Sequence, residues 1–548
     1  MAADSGFDVT AQDRAIGATP DVSLIKTLIE RAASQPDDVY VVDIEDRSLT
    51  YAETLEQIRI WAQAYRRLGV RPGDHVVTMQ HNSIEALVAW LGLAWLGAIE
   101  APINNDYRGP LLSHALNLTR AEVMLVKAQF LDRVVEAAAD LEHLKTIIVL
   151  DDGPAPAGAP FRLVPAAEFL AGAAPAQDLE TPKPWDIMAV LFTSGTTGPS
   201  KAVRLPWAQI HAMTTGSFPV DDLGPQDVIY APGPTYHVGG KTFPYLAALC
   251  GGRHVVRPFI SRTAMSEEYK RFGVTTGTVV PEWMDEPERP DDAERPLRNL
   301  LTPYRDPIAQ AFAKRFGART FGCFNMTEVS CPITFAGWDD MIHDEAGRMS
   351  CGVLREGYEA RIVDADDQPA PDGQAGELIL RADTPWVLNA GYLNNPAATT
   401  EAWRNGWFHT GDAMMRDANG RYFFLDRIKD CIRRRGENIS SFEVEAYVMA
   451  HPAVALAAAV AVKRSEQAGA DEEIKIVVQL APGETLEPEE LIQWLIPRTP
   501  RFMIPRYVEF MDALPLTPTQ KVQKRLLRAS GAGEQVWDRE AAGVALPR

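Results

Sequence analysis

Apolar positions along the chain follow two rhythms that take turns. Short β-branched and apolar runs, "VYVVDI" (39–44), "HVVTMQ" (75–80), "TIIVLDD" (146–152) and "IMAVLF" (187–192), read as buried strands. Between them, "YAETLEQIRIWAQAYRRLG" repeats its apolar residues at helical spacing, and Gly69 supplies the stop. The stretch "ALVAWLGLAWLGAI" (Ala86–Ile99) is apolar on every side but shorter than the ~20 residues of a bilayer span, so it predicts a buried helix. Strands alternating with helices predict an α/β fold. Farther on the rhythm changes. Pro/Ala/Gly-rich "GPAPAGAP" and "AGAAPAQDLETPKP" set the first block apart from the strand at 187. "ARIVDADDQPAPDGQAGELILRA" alternates between Gly/Pro turns and predicts an antiparallel meander, and an α+β block begins after "GRYFFLDR".

Composition narrows the function classes. At 548 residues, 46% hydrophobic and 23% charged, the chain is globular and long enough for about three or four domain-sized units. A net charge of −20 argues against a general nucleic-acid binder, whose surface must be basic to meet phosphates. The cysteines (Cys250, Cys323, Cys331, Cys351, Cys431) are scattered, with no C-x-x-C pair and no histidine cluster, which argues against a metal or disulfide framework. The start, "MAADSGFDVTAQDR", has neither a basic nor an apolar signal region. The expectation is a cytoplasmic protein without integral membrane association.

Candidate chemistry starts where the strand at 187 opens into "TSGTTGPSK". Gly195 and Gly198 allow backbone N–H groups to approach an anion, Thr193, Ser194, Thr196 and Thr197 add hydroxyls, and Lys201 adds charge. The Walker A pattern does not fit, because Ser200 precedes Lys201 and Ala202 follows it. An ordinary Gly/Thr-rich turn is the alternative. Four later stretches are unusually polar: "PTYHVGG" with Tyr236 and His237, "FGCFNMTEVS" with Phe324, Thr327 and Glu328, "GWFHTGDAMM" with Asp412, and "LDRIKDCIRRRGENISSFEVE" with its arginine run. Singly, each has a structural reading as packing, a capped turn or a solvated face.

In this order the set resembles the adenylate-forming superfamily of acyl-CoA synthetases, firefly luciferases and nonribosomal-peptide adenylation domains. The resemblance spans about residues 20–530, and the tail "RRRGENISSFEVE" together with the missing Gly-Gly-Ala-Pro stretch before "FAKRFG" is most similar to crotonobetaine/carnitine-type CoA ligases. It implies a large N-terminal domain (1–424) of two α/β subdomains plus a β-rich subdomain, a hinge (425–430) and a small mobile α+β C-terminal domain (431–548). The implied reaction adenylates a carboxylic acid with ATP and Mg2+, releases pyrophosphate, and passes the acyl group to coenzyme A. Loading of a carrier protein, or nucleotide binding without turnover, are the alternatives.

Roles follow from the same resemblance. Thr193, Ser194, Gly195, Thr196, Thr197, Gly198 and Lys201 would clasp the phosphates. Phe324 and Asn325 would meet adenine, Thr327 the α-phosphate region, and Glu328 with Thr196 the magnesium. Asp412 and Arg427 would hold the ribose. Lys521 would act in adenylation, with Lys524 close by as a rival. Rotation at Lys429 would then bring the Gly436 loop into play, with Arg433, Arg434 and Arg435 meeting coenzyme A phosphates. Tyr236, His237, Val238, Gly239, Lys241, Glu282 and Trp283 are acyl-pocket candidates, His237 as a gate. A homodimer is a family expectation. Asn325, Ala202 and Gln520 depart from glycines usual in the family, and "LLTPYRDP" stands where small residues are common.

Overall fold

The helix expected to stop at Gly69 runs Tyr51–Leu68, and its ends show why. Thr50 Oγ1 accepts from the Glu53 N–H while the Glu53 carboxylate accepts from the Thr50 N–H, and Gly69 takes a left-handed φ of 101°. Against it packs Ile84–Leu96, apolar all round and buried along its length. Gly92 permits the close approach, since a Cβ there would stand 2.7 Å from the Trp61 Cβ. The computed structural model describes residues 19–546 apart from 152, 154–158, 194–199, 231–232, 260, 303–307, 346, 429, 431, 435–436, 464–471, 500, 518–520, 534–535 and 545.

Two compact units divide the chain. The described residues of the first are 19–193, 200–360 and 380–408; those of the second are 361–379 and 409–546. The first unit carries two seven-stranded sheets. One runs in the order Arg162–Pro165, Thr146–Val149, Val123–Val126, His75–Met79, Ile99–Pro102, Ile187–Thr193, Lys201–Pro206. Its pairs are parallel until the last, where Ile187–Thr193 and Lys201–Pro206 run antiparallel with Thr193 opposite Lys201. The other runs Arg319–Phe321, Asn299–Leu301, Thr276–Gly277, Val228–Tyr230, Arg253–Val256, Val39–Asp43, Ser48–Thr50, parallel except at Ser48–Thr50. Apolar runs form these strands because sheets covered by helices on both faces bury every position. The helices Tyr51–Leu68 and Ile84–Leu96 share one core with strand residues Val41, Met188 and Leu191.

Lys201–Pro206 ends its sheet, and its outer edge is covered. Arg204 exchanges backbone bonds with Gly391 and Ala390 (3.0 Å each), and the Leu393 N–H reaches the Ala202 carbonyl at 2.7 Å. The short antiparallel strands Cys323–Met326, Ser330–Thr334 and Gly352–Leu354 also lie in this unit.

The expected meander is formed, mostly by residues of the second unit. Arg421–Arg427, Phe408–Arg416, Gly376–Ala382 and Tyr358–Val363 lie side by side in that order. Beyond it, Val454–Lys463, Glu472–Leu480, Tyr507–Phe510 and Trp537–Asp538 form a four-stranded sheet that shares a core with the helices Ser441–Met449 and Pro488–Leu495. The expected fold class, α/β with a β-rich part and a small α+β C-terminal part, is borne out. Among the described residues, no helix is long and apolar enough to cross a membrane.

Candidate active site

The predicted phosphate loop joins two antiparallel strands, so its two ends are held side by side: the Thr193 hydroxyl donates to the Lys201 carbonyl at 3.4 Å. Ser194, Gly195, Thr196, Thr197 and Gly198 lie outside the described residues. At the loop's far end Ser200 is gripped twice. Its hydroxyl meets the Tyr107 hydroxyl at 3.1 Å, and its carbonyl meets His114 Nε2 at 3.2 Å.

Glu328 sits between the strands Cys323–Met326 and Ser330–Thr334, in a turn that Ser330 closes at φ 57°. The carboxylate is buried, at 7% exposure, and Oε1 accepts from the Tyr392 hydroxyl at 3.2 Å. The Glu328 carbonyl accepts from both the backbone and side-chain N–H of Asn389, at 3.0 and 2.9 Å. Lys201 Nζ lies over the Tyr392 ring, 4.8 Å from its centroid. One phenol therefore gathers the loop lysine and the acidic residue, two groups far apart in sequence. Thr327 is half-buried, and its carbonyl accepts from Gln209 Nε2 at 2.7 Å. Strand alternation buries Phe324 at 2% and turns Asn325 outward.

"PTYHVGG" forms a turn leading into the helix Gly239–Cys250. His237 is exposed, with Nδ1 accepting from the Gly239 N–H at 3.3 Å. Tyr236 is half-buried, and burial pushes its hydroxyl up to about 12. Val238 belongs to the core. Two expected pocket residues face elsewhere. Trp283 is fully buried, stacked on Phe312 with its Nε1 donating to Ser266 Oγ at 2.6 Å, because an indole between two helices and a sheet fills a core. Lys241 is buried too, paired with Glu100 and 4.0 Å from the Trp90 ring centroid; an interior ammonium needs such a partner.

In the second unit, Asp412 is 1% exposed, and Arg427 Nε lies 2.8 Å from its Oδ1. The antiparallel register places these two residues directly opposite each other. Lys521 is exposed, and its backbone N–H donates to Thr517 Oγ1 at 3.0 Å. Lys524 is engaged inside the unit instead, with Nζ 2.7 Å from the Glu445 carboxylate and bonded to Ser441 Oγ. Burial raises the Glu445 carboxyl against the pull of that lysine. Arg434 departs from its expected role at coenzyme A: it is 3% exposed, with Nε 2.8 Å from Glu473, itself buried in the sheet. Alternation on a short hairpin strand turns it inward. The Arg433 side chain, Lys429, Arg435 and Gly436 lie outside the described residues.

The sequence pattern described as AMP-binding enzyme matches residues 28–393, and that described as AMP-binding enzyme C-terminal domain matches 443–521. The chain belongs to the AMP-binding enzyme family. A crotonobetaine/carnitine–CoA ligase of Salmonella typhi is 29% identical over 495 residues, covering 88% of this chain and 93% of that protein. One of Escherichia coli is 29% identical, covering 87% and 93%. Among solved structures, the anthranilate CoA ligase AuaEII in complex with anthranoyl-AMP superposes with a TM-score of 0.80 at 22% identity, covering 96% of this chain and 98% of that one. The o-succinylbenzoate CoA synthetase of Bacillus subtilis with its acyl-adenylate does so at 0.77 and 21%, covering 93% and 98%. The family resemblance read from the motifs is borne out. Tyr392, Asn389, Tyr107 and His114 were not singled out by the sequence reading: each acts on a motif distant in the chain, and "NAGYLNNP" carries no spacing that marks it.

Proposed function

We infer that this AMP-binding enzyme is an acid–thiol ligase: it joins a carboxylic acid to AMP at the expense of ATP, releases pyrophosphate, and passes the acyl group to coenzyme A. The observation that supports it most is the grouping of Lys201 and Glu328 around Tyr392, which sets a phosphate-binding cation and a buried carboxylate within one side chain's reach. The names borne by its relatives agree with the reading.

The roles divide by chemistry. Lys201 and the loop donors hold the phosphate chain, and little covalent work is left to the protein once the carboxylate is aligned with the α-phosphorus. Glu328 fits magnesium, a hard cation that prefers carboxylate oxygens, with Thr196 as a second oxygen; when bound, the ion neutralises phosphate charge. Asp412 accepts from the ribose hydroxyls, and Arg427, paired with its carboxylate, reaches the ribose beside it. Lys521, exposed on the second unit, stabilises the charge that builds during adenylation. The large domain, 1–424, and the C-terminal domain, 431–548, then change their arrangement through the hinge 425–430 for thiol transfer. The use of ATP and coenzyme A agrees with a cytoplasmic setting.

The test is a pyrophosphate-release screen across carboxylic acids, with AMP and thioester followed with and without coenzyme A. Acid-dependent pyrophosphate release and coenzyme A-dependent thioester are expected. ATP binding without release of pyrophosphate for any acid would overturn the reading.

A further inference from the structure

Arg355 follows the strand Gly352–Leu354 in the first unit, and its guanidinium reaches between two elements that flank Glu328. Nη1 donates to the carbonyls of Ala212, on the helix Trp207–Ser217, and of Cys331, on the strand Ser330–Thr334, at 2.8 Å each; Nη2 lies 3.4 Å from Thr215 Oγ1. Room for it exists because residue 216 is glycine. A Cβ there would stand 2.2 Å from Nη1 and 2.9 Å from the Cys331 Cβ.

Every partner found for this guanidinium among the described residues is neutral: two carbonyls, a hydroxyl, and the Tyr358 ring 5.7 Å from Cζ. The carbonyls orient a cation without cancelling its charge, and a charge drawn partly out of water is ordinarily paired. Its field is felt nearby. Burial first, and Arg355 second, hold His211 down to about 4, so that imidazole is neutral near pH 7 and leaves Arg355 as the local cation. Arg355, His211 and Thr215 are all half-buried and keep contact with solvent.

The location bears on substrate. Cys331 follows Glu328 by three residues, and Gln209, on the same helix as Ala212 and Gly216, donates to the Thr327 carbonyl. Resting on the ligase reading above, we propose that Arg355, seated by Gly216, selects the acid: the substrate carries a second anionic group, as a dicarboxylate does, at the end remote from the carboxyl that is adenylated. The fork geometry of arginine suits a carboxylate, and a trimethylammonium acid would meet a like charge instead.

The test compares α,ω-dicarboxylates with monocarboxylates and trimethylammonium acids of equal length in the pyrophosphate-release assay, using wild type, Arg355→Gln, Arg355→Lys and Gly216→Ala. Wild type should favour the dicarboxylate by about a hundredfold in kcat/KM; Arg355→Gln should abolish the preference and Arg355→Lys keep much of it. Because the ratio is taken within each variant, a general loss of activity cancels. Should Arg355→Gln fail to fold, Gly216→Ala, which crowds the guanidinium and keeps its charge, should lower the same ratio. A wild type that prefers monocarboxylates or trimethylammonium acids, or a preference that survives in Arg355→Gln, overturns the proposal and leaves the ligase reading standing. If no acid releases pyrophosphate, the ligase reading fails. Calorimetric titration of the same dicarboxylate into wild type and Arg355→Gln then decides, with equal or absent binding overturning the anion site.

Discussion

A side chain's partners separate residues that sequence leaves equivalent. Lys521 and Lys524 both suit an adenylation lysine by position, yet Lys524 is tied to Glu445 and Ser441 while Lys521 is exposed. Lys524→Ala should leave Glu445 buried without its cation and cost about 1–3 kcal/mol, read from a urea melt. Lys521→Ala, at an exposed position, should cost less in the melt than Lys524→Ala and lower pyrophosphate-linked turnover roughly 10²- to 10³-fold, while thioester formation from supplied acyl-adenylate continues. The same melt and assay giving the opposite pattern would exchange the two roles. Glu328→Gln keeps the shape but loses the charge, so adenylation should fall and demand more magnesium; a rate and magnesium dependence equal to wild type would remove Glu328 from the metal. The residue types of these roles are legible in sequence because charge and hydrogen-bonding capacity are local properties. Their burial is not: Trp283 and Arg434 look like surface chemistry until packing turns them inward.

At the scale of elements, legibility follows repetition. The helix Tyr51–Leu68 shows many turns of apolar spacing and both of its caps, and the buried helix at 84–96 shows apolar residues on every side. The strand Lys201–Pro206 has too few positions to declare a period, and its direction depends on a neighbour rather than on itself. Helix contact can be tested directly. Gly92→Val would drive a branched side chain into Trp61 and should cost about 1–3 kcal/mol, seen as a lower urea midpoint with an unchanged slope; a midpoint equal to wild type would mean the two helices are not held at that distance. Acid should act on the first unit through buried imidazoles. His211 and His254 are held down to about 4, chiefly by burial, against an ordinary value of 6.5. Their lowered values mean that the unfolded chain binds protons first, so stability should be flat above about pH 7 and decline as pH falls from 6.5 towards 4, by up to about 1.4 kcal/mol per pH unit for each histidine. Replacing His254 by Gln should flatten the decline in a pH series of urea melts, and an unchanged slope would exclude that residue as a source.

For the whole molecule, the two half-reactions give a sharper test than overall activity. Lys429→Pro fixes φ at the proposed hinge and should spare adenylation while abolishing thioester formation; equal loss of both would move the hinge elsewhere. The covered edge of Lys201–Pro206 has a consequence for how the chain is made. That strand ends its sheet, and the backbone that shields it comes from Ala390, Gly391 and Leu393, nearly two hundred residues downstream. During synthesis the strand must therefore wait, with unpaired N–H and C=O groups open to any neighbouring chain, until that segment leaves the ribosome. Nascent chains stopped before Asn389 should cling to one another or to chaperones, and those extended past Leu393 should not.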